Sequence, residues 1–213
     1  MQETTEEIPA LHHMQQLIEL INSYQFEYQS RIPSSSLTEK PTIWIAGGAI
    51  HSAITGSRVN DYDLFSNNPM AVSDAIEVAG FSSTFKTEHF ANYYIEGRKV
   101  QVIYRYQPTS PQELFDTFDF TIVCGAYDGK TFYCHDRFWQ DIAARRLVVN
   151  GVLFPLRIME RMVKYAKKGY TPCPVGLLAI AKAIHSLEID WDDPDENQLT
   201  FYTSGSPRFS GPD

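Results

Sequence analysis

No stretch of this sequence approaches the roughly 18 uncharged apolar residues that a helix needs to cross a bilayer, so no segment reads as a membrane span. The opening, MQETTEEIPAL, is acidic where a secretory leader would be basic and then apolar, and the expected compartment is the cytoplasm. Cysteine is scarce. Cys124, Cys134 and Cys173 are odd in number and lack metal-type spacing, which argues against a disulfide framework or a structural zinc site and for buried thiols. A basic excess is also missing: the formal net charge is −8, which speaks against wholesale coating of nucleic acid. There is no internal repeat.

What is present suffices for a core. The 213 residues are 43% hydrophobic and 13% aromatic, enough for one large domain or a domain with a small appendage. The net charge hides a segregation along the chain. Arg145, Arg146, Arg157, Arg161, Lys164, Lys167 and Lys168 cluster with only Glu160 to offset them after Asp141, whereas acid concentrates at Glu3, Glu6 and Glu7 and again from Asp190 to Glu196. A basic patch of that kind can hold an anionic substrate if the fold brings it to one side.

Met14, Leu17, Ile18, Ile21, Tyr24 and Tyr28 recur at helical spacing and predict an amphipathic helix over residues 12–29. The loop-forming RIPSSSLTEKP ends where TIWIA begins a buried strand, and Gly47-Gly48 stops that strand. AIHSAITG reads as a short helix closed by Gly56, and DYDLFS as a second strand. A helix over residues 70–80 precedes three strands, STFKT, ANYYIEG and KVQVIYRY, with Glu96-Gly97 turning the last two. SPQELFDTF begins with a capping Ser110 and a helical Pro111, and FTIVCGAYDGKTFYCHD suggests a hairpin centred on Asp128-Gly129. Helices follow in RFWQDIAARR, PLRIMERMVKYAKKGY and VGLLAIAKAIHSLEI. Arg157, Arg161, Lys164 and Lys168 fall along one face of the second of these, with Leu156, Met159, Val163 and Ala166 expected to pack inward. A loosely held polar tail is expected after Trp191.

Two features carry chemistry. The strand-turn-helix IWIAGGAIHSAI lets backbone amides approach a phosphate closely, with a helix N-terminus behind them; the alternative is a plain tight turn. Asp61 and Asp63 alternate with Tyr62 and Leu64, so both carboxylates project from one face of a strand, roughly 6 to 7 Å apart at their Cα atoms. Such a pair can converge on hard divalent cations and the phosphate oxygens they bridge; the alternative is a solvated strand edge or an Asx-turn. The aromatic run Phe90, Tyr93, Tyr94 suits a sheet core better than a base-stacking surface. His12, His13, His89, His135 and His185 form no ligand constellation.

GGAIHSAITGSRVNDYDLF resembles the signature of the poly(A) polymerase and CCA-adding enzyme head domain, within the DNA polymerase beta superfamily of nucleotidyltransferases, across Gly47, Gly48, Gly56, Val59, Asp61 and Asp63. The resemblance continues through FDFTIVCGAYD, with Asp119, through YCHDRFWQDIAARRL, and into a neck-like helix carrying Arg157, and so spans about residues 42–170. It implies an α+β fold: a mixed β-sheet nucleotidyltransferase head flanked by helices, followed by a short helical neck. The expected organisation is an N-terminal helix and loop over 1–40, the head over 41–150, the neck over 151–190 and a flexible tail over 191–213. It further implies a magnesium- or manganese-dependent transfer of a nucleoside monophosphate from an NTP such as ATP to an acceptor hydroxyl, an RNA 3′ end being one admissible acceptor. Asp61 and Asp63 would be the catalytic, metal-holding pair, and Gly47, Gly48, His51, Asp119, Arg157 and Arg161 would bind nucleotide.

The chain departs from the family pattern in four ways, at six positions. His51 stands where a basic residue usually follows the glycine turn, Thr117 and Phe118 replace two arginines, Leu153-Phe154 replace an acidic pair, and Gln101 replaces a third acidic residue. Gln101 offers a neutral carbonyl oxygen and cannot take a proton as a base. These departures keep a second reading open, in which the head is catalytically degenerate and serves as a binding or assembly module.

Overall fold

The structure is a computed structural model that describes residues 1–31 and 40–186; the expected polar tail and most of the RIPSSSLTEKP loop lie outside these residues. The chain divides into two compact units. One comprises residues 1–118 and 122–139, and the other residues 119–121 and 140 onward.

The first unit is built on an eight-stranded mixed sheet with the order β1-β8-β7-β2-β3-β6-β5-β4. Its strands are β1 (Gln2–Thr4), β2 (Ile43–Ala46), β3 (Tyr62–Ser66), β4 (Phe85–Lys86), β5 (Phe90–Ile95), β6 (Arg98–Ile103), β7 (Gly125–Tyr127) and β8 (Phe132–Cys134). The pairing of β3 with β6 is parallel and the remaining pairs are antiparallel. α3 (Pro69–Val78) lies between β3 and β4 in the chain and contacts both strands of that parallel pair, as a parallel connection requires.

One sheet face packs on helices. Tyr62, Leu64, Val100, Val102 and Tyr93 point to this side and are buried, as are Met14, Leu17, Ile18 and Ile21 of α1 (His12–Arg31) and Val72, Ala75 and Ile76 of α3. The expected α1 pattern is therefore the observed one. Trp44, Ala46, Phe65, Ile103 and Ala126 form a second core with Cys124 and with Leu114 and Phe115 of α4 (Pro111–Phe115). Ser110 caps α4 by accepting from the Glu113 amide at 3.3 Å, while the Glu113 carboxylate accepts the Thr109 N–H at 2.8 Å. This is a capping-box arrangement in which Glu113 reaches back to Thr109, one residue before the cap.

The β5–β6 hairpin turns on Glu96 (φ 48°) and Gly97 (φ 75°), two left-handed residues as a type I′ turn needs. Of the expected FTIVCGAYDGKTFYCHD hairpin, only β7 and β8 are strands; Thr121–Val123 is a 3₁₀ turn. The strand β1, which the sequence did not announce, pairs with β8.

The second unit contains the two-stranded parallel ladder of β9 (Arg146–Leu147) and β10 (Thr171–Pro172), with α6 (Pro155–Ala166) and α7 (Pro174–His185). The intervening helix α5 (Phe138–Ala143) carries the chain from the first unit into the second. The face expected to pack inward on α6 is a correction. Met159 is 44% and Val163 54% exposed, whereas Arg157, Ile158 and Tyr165 are buried. Tyr165 sets this rotation by packing edge-on against Phe120 and Tyr170, and an ion pair with buried Asp119 draws Arg161 partly inward, while Lys164 and Lys168 stay exposed. No helix among the described residues is long and apolar enough to cross a membrane.

Candidate functional site

β2 ends in a turn that only glycine accommodates: Gly47 has φ 74° and ψ −131°. Its N–H donates to the Gly125 carbonyl at 3.1 Å, and its carbonyl accepts from His51 at 3.1 Å. Gly47 therefore shapes the turn, while the amides of the following turn, beginning with Gly48, lack intrahelical acceptors as at any helix start. A β-carbon on Gly48 would meet nothing within 4 Å. α2 (Gly48–Ile54) carries His51 on its inward side, 1% exposed. The Phe118 ring lies 3.6 Å from where a Gly47 β-carbon would stand, and it packs on Phe65 and Phe115. Where the resemblance calls for an arginine, this chain places an aromatic ring beside the glycine turn.

Asp63 lies within β3 and Asp61 one residue before it. Asp63 pairs in register with Gln101 of β6, and Gln101 with Asn92 of β5. Neighbours in register share a sheet face, so Asp63, Gln101 and Asn92 form a row on the side opposite Tyr62 and Val100. Gln101 is 6% exposed and its amide nitrogen donates to Asn92 Oδ1 at 2.8 Å. That bond turns the amide nitrogen toward β5, the O/N assignment resting on this network. Asp61 is half-exposed and stands 3.8 Å from Lys99 Nζ, itself well exposed. An exposed pair of this sort contributes at most about 1 kcal/mol and is readily exchanged for another cation.

Two carboxylates and a neutral amide oxygen on one face are oxygen donors suited to a single hard divalent cation. Among the described residues there is no group of three or more His, Cys, Asp or Glu side chains arranged to hold a metal. Gln101, the in-register neighbour of Asp63, carries no charge.

The remaining nominated residues lie in the second unit. Asp119, 3% exposed, is ion-paired with Arg161. Burial pushes its carboxyl above the usual carboxylate range, and the Arg161 guanidinium pulls it back only in part. Asp141, also buried, accepts from Thr121 Oγ1 at 2.7 Å. Arg157 is 5% exposed; its Nη1 donates to Glu160 at 2.7 Å, while its buried Nε and Nη2 find no acceptor among the described residues. Nothing in the sequence pattern marks this edge, because the same residue at the same spacing also suits a solvated helix face.

Residues 19–145 match the family described as Gabija anti-defense 2 family protein. A relative named "Gabija anti-defense 2", from Bacillus phage SPbetaL7, is 33% identical over 189 residues, covering 83% of this chain and 47% of the relative. This chain thus spans about half the length of that relative. Among solved structures, a CCA-adding enzyme in complex with ATP superposes with a TM-score of 0.62 at 12% identity, over 81% of this chain and 43% of that one. A tRNA-processing enzyme in an apo form superposes with a TM-score of 0.59 at 17% identity, over 84% and 48%. At such identities these likenesses establish the nucleotidyltransferase-like α+β fold and no more. The sequence match is of a different order, and on it the chain belongs to the Gabija anti-defense 2 family.

Proposed function

We propose that this chain is the nucleotidyltransferase module of an anti-defense protein, moving a nucleoside monophosphate from an NTP to an acceptor hydroxyl. The observation that carries the reading is the row on the sheet face opposite Tyr62 and Val100, where Asp63 pairs with Gln101, with Asp61 one residue before β3 and the Gly47-Gly48 turn at the end of the neighbouring strand β2. Asp61 and Asp63 would hold a magnesium or manganese ion. Such an ion neutralises triphosphate charge and acidifies an attacking hydroxyl. The amides of the turn after Gly48 would take phosphate oxygens. The acceptor oxygen attacks the α-phosphorus, the bond to pyrophosphate breaks, and the hydroxyl proton is lost to solvent or to a carboxylate, since Gln101 cannot take it.

In the second unit, Arg157 presents two buried donors without acceptors, an edge that fits a pair of acceptor atoms on a nucleotide. Asp119 fixes Arg161 beside it on α6. The ATP bound by one structural neighbour and the tRNA processing done by another support an NTP substrate and make an RNA 3′ end a reasonable acceptor to try first.

One observation favours a second reading. The Gln101 amide is tied to Asn92, which suits a head that binds nucleotide with two carboxylates and does not turn over. Incubation with each labelled NTP, Mg²⁺ or Mn²⁺ and host RNA separates the two. Labelled RNA and free pyrophosphate, lost on the order of 10²- to 10³-fold in Asp63→Asn, establish transfer; NTP binding with no pyrophosphate in any combination establishes the binding module.

A further inference from the structure

The second unit holds a basic cleft that the nucleotide reading does not use. A cavity of about 360 Å³ is lined by Ala144, Arg145, Arg146, Thr171, Pro172 and Cys173, together with the first residue of α7, a volume in the range of small-molecule sites. The framework is fixed by backbone bonds: Thr171 N–H donates to the Arg145 carbonyl at 2.8 Å and Cys173 N–H to the Leu147 carbonyl at 3.0 Å.

The charge here is uncompensated. The described residues of this unit carry eight Lys and Arg against three Asp and Glu. Those three acids are engaged elsewhere: Asp119 with Arg161, Glu160 with Arg157, and Asp141 with Thr121. No carboxylate among the described residues pairs with Arg145, Arg146, Lys164, Lys167 or Lys168. Burial and the nearby Lys164 ammonium depress the Lys168 amine below its ordinary value, as expected where like charges gather without counter-ions.

Arg145 is the most constrained member. It sits at φ 49°, a left-handed backbone usually left to glycine at a helix end. Its guanidinium lies 5.4 Å over the Tyr170 ring, and its Nη1 donates to the Lys168 carbonyl at 3.4 Å. Arg146, in β9, pairs in register with Thr171, so a second guanidinium and a hydroxyl face one side of the short ladder.

We infer that this cleft is a phosphate-binding site, taking the phosphate of a nucleotide or of a nucleic-acid backbone through Arg145, Arg146 and the Thr171 hydroxyl. Guanidinium forks match phosphate oxygens bidentately, and two of them at a cavity mouth with no carboxylate partner among the described residues suit an anion. This site shares no residue with the proposed transfer site, so it can fail or hold irrespective of the proposed transfer reaction.

Cys173 supplies a local reporter, because it lines the cleft and is partly exposed whereas Cys124 and Cys134 are buried. The full chain, in EDTA, is titrated with a short labelled single-stranded RNA and separately with ATP, while the rate of Cys173 modification by a thiol reagent is followed. Binding should slow that modification at least fivefold in the wild type and in Asp63→Asn. Arg145→Gln combined with Arg146→Gln should weaken binding at least tenfold, reduce the salt slope by about two and abolish protection. Because Arg145 packs on Tyr170, Arg146→Gln alone, at an exposed position, serves as the second variant, with a slope reduced by about one. Protection by RNA alone assigns the phosphate to a nucleic-acid backbone, and protection by ATP as well assigns it to a nucleotide. Unchanged Cys173 reactivity with both ligands, or undiminished binding by the double variant, would overturn the site.

Discussion

The two units of this chain solve opposite electrostatic problems. The described residues of the sheet unit carry fifteen Asp and Glu against nine Lys and Arg, whereas those of the helical unit carry three against eight. In the sheet unit Asp61 and Asp63 are half-exposed. In the helical unit Asp119 and Asp141 are sealed inside, and apart from Arg157 and Arg161 the cations lie at the surface. Like chemistry at the residue level therefore has different uses: an exposed carboxylate can gather a metal, while a buried one must be answered by a fixed partner or pay in desolvation.

The largest effect is expected where that difference is most acute. Arg161→Ala strips buried Asp119 of its counter-ion and should destabilise the helical unit by about 3 kcal/mol, the low end for a broken buried pair because Arg161 is itself partly exposed. Asp119→Asn, which removes the charge along with the pairing, should cost less. The pH dependence has a definite sign. A carboxyl raised above its unfolded value is stabilising below that value and loses the contribution as pH rises through the folded one. Loss of Arg161 raises Asp119 further, so the deficit of Arg161→Ala should grow from acid toward neutral pH. Urea unfolding followed at several pH values checks this, and a pH-independent deficit would contradict the buried-carboxylate account.

In the sheet unit the sharper question is whether two carboxylates suffice. Gln101→Glu restores a third on the same face and should raise nucleotide transfer on the order of 10²-fold with little change in NTP affinity. Nucleotidyl transfer assays with Mg²⁺ and Mn²⁺ read this directly, and vigorous wild-type activity unaffected by the change would show that this head works with the pair alone. The smallest effect belongs to the turn. Gly48 has an ordinary backbone and an empty surround, so Gly48→Ala should fold normally and yet weaken NTP binding about tenfold by holding phosphate away from the amides. Equal affinity in calorimetry would remove the phosphate role from this turn.

Much of the fold was legible in the chain. The period of Met14, Leu17, Ile18 and Ile21 marked α1, the run IWIA marked β2, and Glu96-Gly97 marked the hairpin turn, because local sterics and the burial pattern agree at these places. The strand alternation around Asp63 likewise predicted its side, opposite Tyr62 and Leu64. α6 was read wrongly. A basic stripe beside an apolar one normally faces water, but Arg161 is drawn inward by Asp119, a partner 42 residues away, and Tyr165 finds Phe120 across a similar gap in sequence. The strand β1 was missed for the same reason: three polar residues become a strand only because the β8 edge offers hydrogen bonds.

By itself the sequence determined the order of elements, the glycine turn, the carboxylate pair and the separation of acidic from basic segments, all properties carried by neighbours a few residues apart. Tertiary structure alone decided which charges are buried, that Phe118 occupies the side of the Gly47 turn, that Gln101 is bound to Asn92, and that Arg145 and Arg146 meet Thr171 at one cleft. These depend on the free energy of contacts between residues far apart in the chain, and in such contacts desolvation and packing outweigh the local preference of either partner.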